Sequence, residues 1–133
     1  MMTEAKRNEI NLGLARLAGY KYRAKESEII LKSPQGDVMP LVEANFHEDW
    51  NRLTEVIAAL EKGDIFLEKT GRAYVYCTRY GECIDNTFID EIADMPVLKI
   101  WEITARCVAS LAKAGRIDGK YKIKKGDKKD EKF

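Results

Sequence analysis

The sequence predicts an α+β fold, a small and mostly antiparallel sheet covered by helices, with a three-layer α/β/α sandwich as one arrangement of those parts. Three observations point there. Three stretches place apolar residues at helical spacing: Ile10, Leu14 and Leu17; Trp50, Leu53, Ile57 and Leu60; and Val97, Trp101, Ala105, Val108 and Leu111. Between them lie short apolar runs broken by turn residues, the pattern of hairpins. The resulting order of helix, hairpin, helix, hairpin, helix leaves few and short strands, which bury their faces best beneath helices.

The first helix is expected from Thr3, a good N-cap residue, to Ala18, with Gly19 placed to end it in a left-handed conformation. Leu12 lies off its apolar stripe, which suggests burial on a second side. The runs Tyr20–Tyr22 and Glu28–Leu31 follow, then a turn at Ser33-Pro34-Gln35-Gly36-Asp37 and a strand around Val38–Val42. Pro40 assigns that strand to an edge, because proline cannot donate to a ladder. The second helix is expected to be capped by Asn45, stapled by Phe46, anchored in the core by Trp50 and stopped by Gly63. Ile65–Glu68 and Ala73–Arg79 read as strands joined by Lys69-Thr70-Gly71-Arg72, and Tyr80–Asp94 as a connector. Pro96 suits the first turn of the third helix, which runs to Lys113 with Gly115 behind it.

The chain of 133 residues is the size of one domain. Its net charge of +1 hides an asymmetry. Residues 120–133 hold seven lysines against three acids, a net +4, while the other 119 residues carry 16 basic and 19 acidic side chains, a net −3. A single α+β domain over residues 1–119 and a flexible lysine-rich tail over 120–133 are therefore expected. Lys120, Lys122, Lys124 and Lys125 are the candidate contacts of that tail with nucleic acid. The polar start from Met1 to Arg7 lacks the apolar centre of a signal peptide, and no apolar run reaches the length of a membrane span. With three cysteines, an odd number, the sequence favours a reducing cytoplasm over a disulfide framework.

No catalytic residue, cofactor or metal ligand is assigned. His47, the one histidine, opens His47-Glu48-Asp49-Trp50, but sequence neighbours do not face one another on a helix, and a capping or surface role is favoured. Cys77, Cys83, Cys107 and His47 have ligand chemistry for zinc without the close cysteine pairing that zinc sites use. The acids Glu82, Asp85, Asp90, Glu91 and Asp94 lack the spacing of a calcium loop. Tyr74 and Tyr76 share one strand face with Arg72 and Arg79 at its flanks, a combination that can stack and clamp a nucleotide. Packing beneath a helix is the competing use of the same tyrosines.

Asn45-Phe46-His47-Glu48-Asp49-Trp50-Asn51-Arg52-Leu53, followed by Glu55-Val56-Ile57, resembles a stretch of the phage ABA (α/β/α) sandwich domain family of small phage and prophage proteins. Ile10-Asn11 to Gly19-Tyr20 looks like that family's opening helix. Lys99-Ile100-Trp101-Glu102, leading into Arg106-Cys107-Val108, is similar to its closing helix. Where the family usually has a proline before the Asn-aromatic-His run, this chain has Ala44. The resemblance implies a layered fold and a phage origin in a bacterial cytoplasm, and it carries no activity. The expectation is a non-enzymatic phage or prophage accessory protein acting by binding. A protein partner, a small nucleotide-type ligand on the tyrosine face and nucleic acid on the tail are the alternatives, with self-association left open.

Overall fold

The computed structural model describes residues 2–70, 73–84, 89–90 and 97–124, and at 69, 70, 73, 89 and 90 it describes the backbone alone. Helix α1 spans Glu4–Leu17. Thr3 caps it as expected, its hydroxyl accepting from the Lys6 amide at 3.1 Å. The other end closes with paired bonds from the Tyr20 amide to the Ala15 carbonyl and from the Gly19 amide to the Arg16 carbonyl. That pairing requires a left-handed residue between, which Gly19 supplies at φ 90°.

Strands β1 (Lys21–Lys25), β2 (Glu28–Lys32) and β3 (Val38–Pro40) form one antiparallel sheet in that order. The Ser33–Asp37 turn is closed by the bond from the Ser33 amide to the Asp37 carbonyl, and Ser33 Oγ accepts from the Asp37 amide. Pro40 lies on the edge strand opposite Ile30, as its missing N–H demands. Tyr22, Leu31 and Met39 are cross-strand neighbours and so share the inner face.

A short 3-10 turn over Leu41–Glu43 leads to α2, Trp50–Lys62. Two expectations fail at this helix. Asp49 is the N-cap, its carboxylate accepting from the Arg52 amide, while Asn45 takes a left-handed φ of 51° in the turn before it. Trp50 is 49% exposed, and the buried residues are Phe46, Leu53, Val56 and Leu60. The buried stripe of α2 centres on Leu53, Val56 and Leu60, which leaves Trp50 in the first turn at its solvent edge. The Arg52 guanidinium then reaches back to the carbonyls of Glu43 and Ala44, tying α2 to the turn before it.

Strands β4 (Ile65–Thr70) and β5 (Ala73–Thr78), with the short β6 (Ile89–Asp90), form a second antiparallel sheet. The α+β class holds, but the strands divide between two small sheets instead of forming one central layer between helices. Helix α2 separates β3 from β4 in the chain and packs on β4. Helix α3 follows over Val97–Lys113 and buries Ile100, Trp101, Ile103, Cys107 and Leu111 among the residues of one shared core. Its end repeats the α1 device, with the Arg116 amide on the Leu111 carbonyl and Gly115 at φ 72°. The expected start at Pro96 lies outside the described residues. No helix among them is long and apolar enough to cross a membrane.

The described structure continues past the expected boundary at residue 119. Residues 116–124 form a small hairpin in which Ile117 bridges Ile123, and Asp118 Oδ1 accepts from the Lys120 and Lys122 amides. Ile117, Tyr121 and Ile123 pack against the core. Two glycines make room for them. A Cβ on Gly13 of α1 would lie 2.8 Å from the Tyr121 hydroxyl, and one on Gly63 would lie 2.8 Å from Ile123 Cβ. Gly63 has an ordinary negative φ, and the left-handed residue after α2 is Asp64 at φ 64°. Close approach, more than helix termination, is therefore what position 63 requires. Lys125 and the residues after it lie outside the described part.

Gly63→Ala is expected to push the hairpin off α2. It should cost about 1–3 kcal/mol in urea denaturation, the usual range for overpacking, and should speed tryptic cleavage after Lys120 and Lys122. Gly119→Ala, with open space at its Cβ, is the matched control.

Candidate functional site

One buried polar residue joins three segments of the core. Asn11 of α1 is 1% exposed. Its Oδ1 accepts from Trp101 Nε1 at 2.7 Å, and its Nδ2 lies 3.2 Å from His47 Nδ1. The His47 and Trp101 rings also touch edge to face, with centroids 5.8 Å apart. An indole can only donate, so the Asn11 oxygen must face Trp101 and its NH2 must face the imidazole. His47 Nδ1 is therefore the acceptor, and the ring proton is inferred to sit on Nε2, which faces Glu48 Oε1 at 3.7 Å. Helix α1, the turn before α2 and helix α3 are joined here, each by one side chain.

The cluster holds histidine chemistry back. Burial is the main cause that lowers the His47 pKa, Glu48 opposes it and Arg7 adds to it. Among the described residues no carboxylate hydrogen-bonds the ring, and Nδ1 is already occupied. Cys107 is fully buried in α3, while Cys77, near the end of β5, lies beside Cys83. Among the described residues no three His, Cys, Asp or Glu side chains converge to hold a metal ion. Of the acidic connector, only the Glu82 side chain is described.

Of the predicted nucleotide clamp, Tyr76 lies in the core. Tyr76 is 2% exposed and packs under α3. The Thr104 hydroxyl donates to the Ile100 carbonyl at 2.6 Å, so the Tyr76 phenol is the donor in the 2.8 Å bond between the two hydroxyls. Burial raises the phenol pKa strongly. Tyr76 thus takes the packing role, since a ring held in the core cannot stack on a ligand. Tyr74 is half-buried, Arg79 is exposed and paired with Asp64 at 2.8 Å, and Arg72 lies outside the described residues.

A different surface gathers basic and aromatic groups. Arg16 of α1 lies between two tyrosines, its guanidinium carbon 5.1 Å from the Tyr22 centroid and 4.4 Å from the Tyr121 centroid. This stack joins β1 to the C-terminal hairpin. All five residues of β1 are exposed. By alternation Lys21, Arg23 and Lys25 share the outer face of the first sheet, where Lys32 stands opposite Lys21 and Glu28 opposite Lys25. On the hairpin, Lys120, Lys122 and Lys124 are exposed. Two grooves flank that hairpin. One of about 390 Å³ lies between α1 and α2, with Glu55, Lys62 and Lys122 among its lining, and one of about 190 Å³ lies between α1 and α3 beside Tyr121. Glu55 also accepts from the Tyr20 hydroxyl at 2.7 Å, which joins α2 to the end of α1.

Charge counting drew attention to Lys120, Lys122 and Lys124, but not to Lys21, Arg23 and Lys25. The period-two alternation of the Lys-Tyr-Arg-Ala-Lys run was the available signal. Compared with protein-family models, curated proteins and solved structures, the chain finds no match.

Two outcomes test the polar cluster. Asn11→Ala leaves the buried Trp101 N–H and the His47 nitrogen without their partner, and should cost about 2–4 kcal/mol in urea denaturation. For His47 the folded-state pKa lies below 6.5, so the unfolded chain takes up the proton first as pH falls. The neutral ring's stabilisation is then full above that value and is lost through it on acidification. The urea midpoint should fall between about pH 7 and about pH 5, and His47→Gln should flatten that segment of the profile.

Proposed function

We propose that the protein is a non-enzymatic binding protein of the phage or prophage accessory type, acting in the cytoplasm of a bacterial host, with single-stranded nucleic acid as its partner. The observation that supports this partner is the stack of Arg16 between Tyr22 and Tyr121, which sets the basic strand β1 beside the basic hairpin. Charge that looked terminal and isolated is thereby one end of a longer basic surface.

The chemistry suits a phosphate backbone. Lys21, Arg23 and Lys25 recur at every second residue of an extended strand, about 6.8 Å apart. That is the order of the spacing between successive phosphates on an extended single strand. Tyr22, 47% exposed, stands on the opposite face of β1 from these three. Because β1 is an edge strand, the partly open Tyr22 ring is within reach of a base carried over that edge. The hairpin lysines extend the positive field beyond the Arg16 stack, which favours long polyanions over small ligands.

The test is fluorescence anisotropy of a labelled thymidine oligonucleotide of about 15 nucleotides, titrated at several salt concentrations. Replacing Lys21, Arg23 and Lys25 together by Glu should weaken binding at least about tenfold and lower the log–log salt slope by about 2. Tyr22→Ala should weaken binding about tenfold, as loss of one stacked base would. Unchanged affinity in these variants, affinity independent of salt, or binding of an acidic polypeptide without any binding of the oligonucleotide would overturn the reading.

A further inference from the structure

We infer that Cys77 and Cys83 form a reversible disulfide site, a two-thiol pair that takes oxidising equivalents from a low-molecular-weight disulfide. The two residues bridge directly across an antiparallel pairing, with their Sγ atoms 3.9 Å apart. The flanking bonds run from the Thr78 amide to the Glu82 carbonyl and from the Ile84 amide to the Tyr76 carbonyl. Cys77 and Cys83 are therefore a non-hydrogen-bonded pair, whose Cα atoms lie about 4.5 Å apart, at the near end of the range a disulfide spans. Both are thiols in this structure. Bringing the sulfurs to bonding distance, about 2 Å, needs side-chain rotation with little backbone movement.

Their surroundings assign an order to the reaction. Cys83 is exposed, whereas Cys77 is 7% exposed, and burial together with the neighbouring thiol pushes its pKa up to about 11. The Cys83 thiolate attacks one sulfur of the small disulfide, forming a mixed disulfide and releasing one thiolate. Cys77 then loses its proton to solvent and attacks Cys83 Sγ, forming the Cys77–Cys83 bond and expelling the second thiolate. The protein gives up two electrons and two protons, and the small disulfide becomes two thiols. The bond closes a ring around the 78–82 turn, which Thr78 Oγ1 already organises by accepting from the Tyr80 and Glu82 amides. Cys107 is 0% exposed in α3 and takes no part.

The experiment treats the full chain with oxidised and reduced glutathione in varied ratio, blocks remaining thiols by alkylation and digests the denatured protein with trypsin without reductant. Cleavage after Arg79 separates the two cysteines in sequence, so their peptides stay joined only if the disulfide has formed. The expected result is a joined pair, released by reductant, with Cys107 alkylated. Cys77→Ser should stop at a glutathione adduct on Cys83. Cys83→Ser should leave Cys77 at least about tenfold slower to react than Cys83 is in the parent chain. A glutathione adduct on Cys83 that persists in the parent protein, or a joined pair that includes Cys107, would overturn the assignment. Circular dichroism of both variants confirms that a negative result comes from folded protein.

Discussion

The side-chain amide of Asn11 is the point at which three segments of the core are joined. A buried amide must satisfy a donor and an acceptor at once, and here the two partners come from segments far apart in the chain. The Trp101 indole occupies the oxygen, His47 occupies the nitrogen, and α1, the turn before α2 and α3 are held in one relative placement. Apolar contacts around this point would tolerate some sliding, whereas hydrogen bonds of fixed direction would not. The edge contact of Tyr20 on Phe46 and the Tyr20–Glu55 bond hold the same helices a short way along.

Fixing α1 in this way has consequences at the surface. One side of the helix carries Asn11 and Leu14 into the core. Gly13 admits Tyr121, and Arg16 receives the rings of Tyr22 and Tyr121. The C-terminal hairpin is thus seated on the helix that organises the core, and its lysines stand beside β1 instead of trailing from the domain. The second sheet is built by other contacts, chiefly Tyr76 on Thr104 and Ile65 in the common core, and it leaves the cysteine pair at its far end.

Much of the fold was legible residue by residue. The Thr3 cap, the left-handed glycines 19 and 115, the edge placement of Pro40 and the facing of Tyr74 with Tyr76 all rest on short-range rules that hold before any packing is known. Errors arose where one local signal had a nearby rival. Asn45 and Asp49 are both good caps. Trp50 and Val56 both extend the stripe of Leu53 and Leu60, and of those two only Val56 is buried. Two tryptophans at helical spacing looked alike in sequence, yet Trp101 found a buried acceptor and Trp50 faces solvent. Asn11 gave no sign of burial, because a polar residue inside an apolar stripe becomes satisfiable only through partners 36 and 90 positions away.

The sequence by itself determined the class of fold, the order of helices and hairpins, the turn chemistry and the excess of lysine near the C-terminus. These follow from backbone stereochemistry and apolar periodicity, which act within a few residues. Tertiary structure decided that the strands divide into two sheets, that residues 116–124 fold back onto two glycines, that Tyr76 belongs to the core and that β1 joins the hairpin lysines. Each of those outcomes depends on distances between segments remote in the chain. They are set by the polar partners of Asn11, by the contact of Tyr76 with Thr104 and by close approaches at Gly13 and Gly63, for which local sequence holds no code.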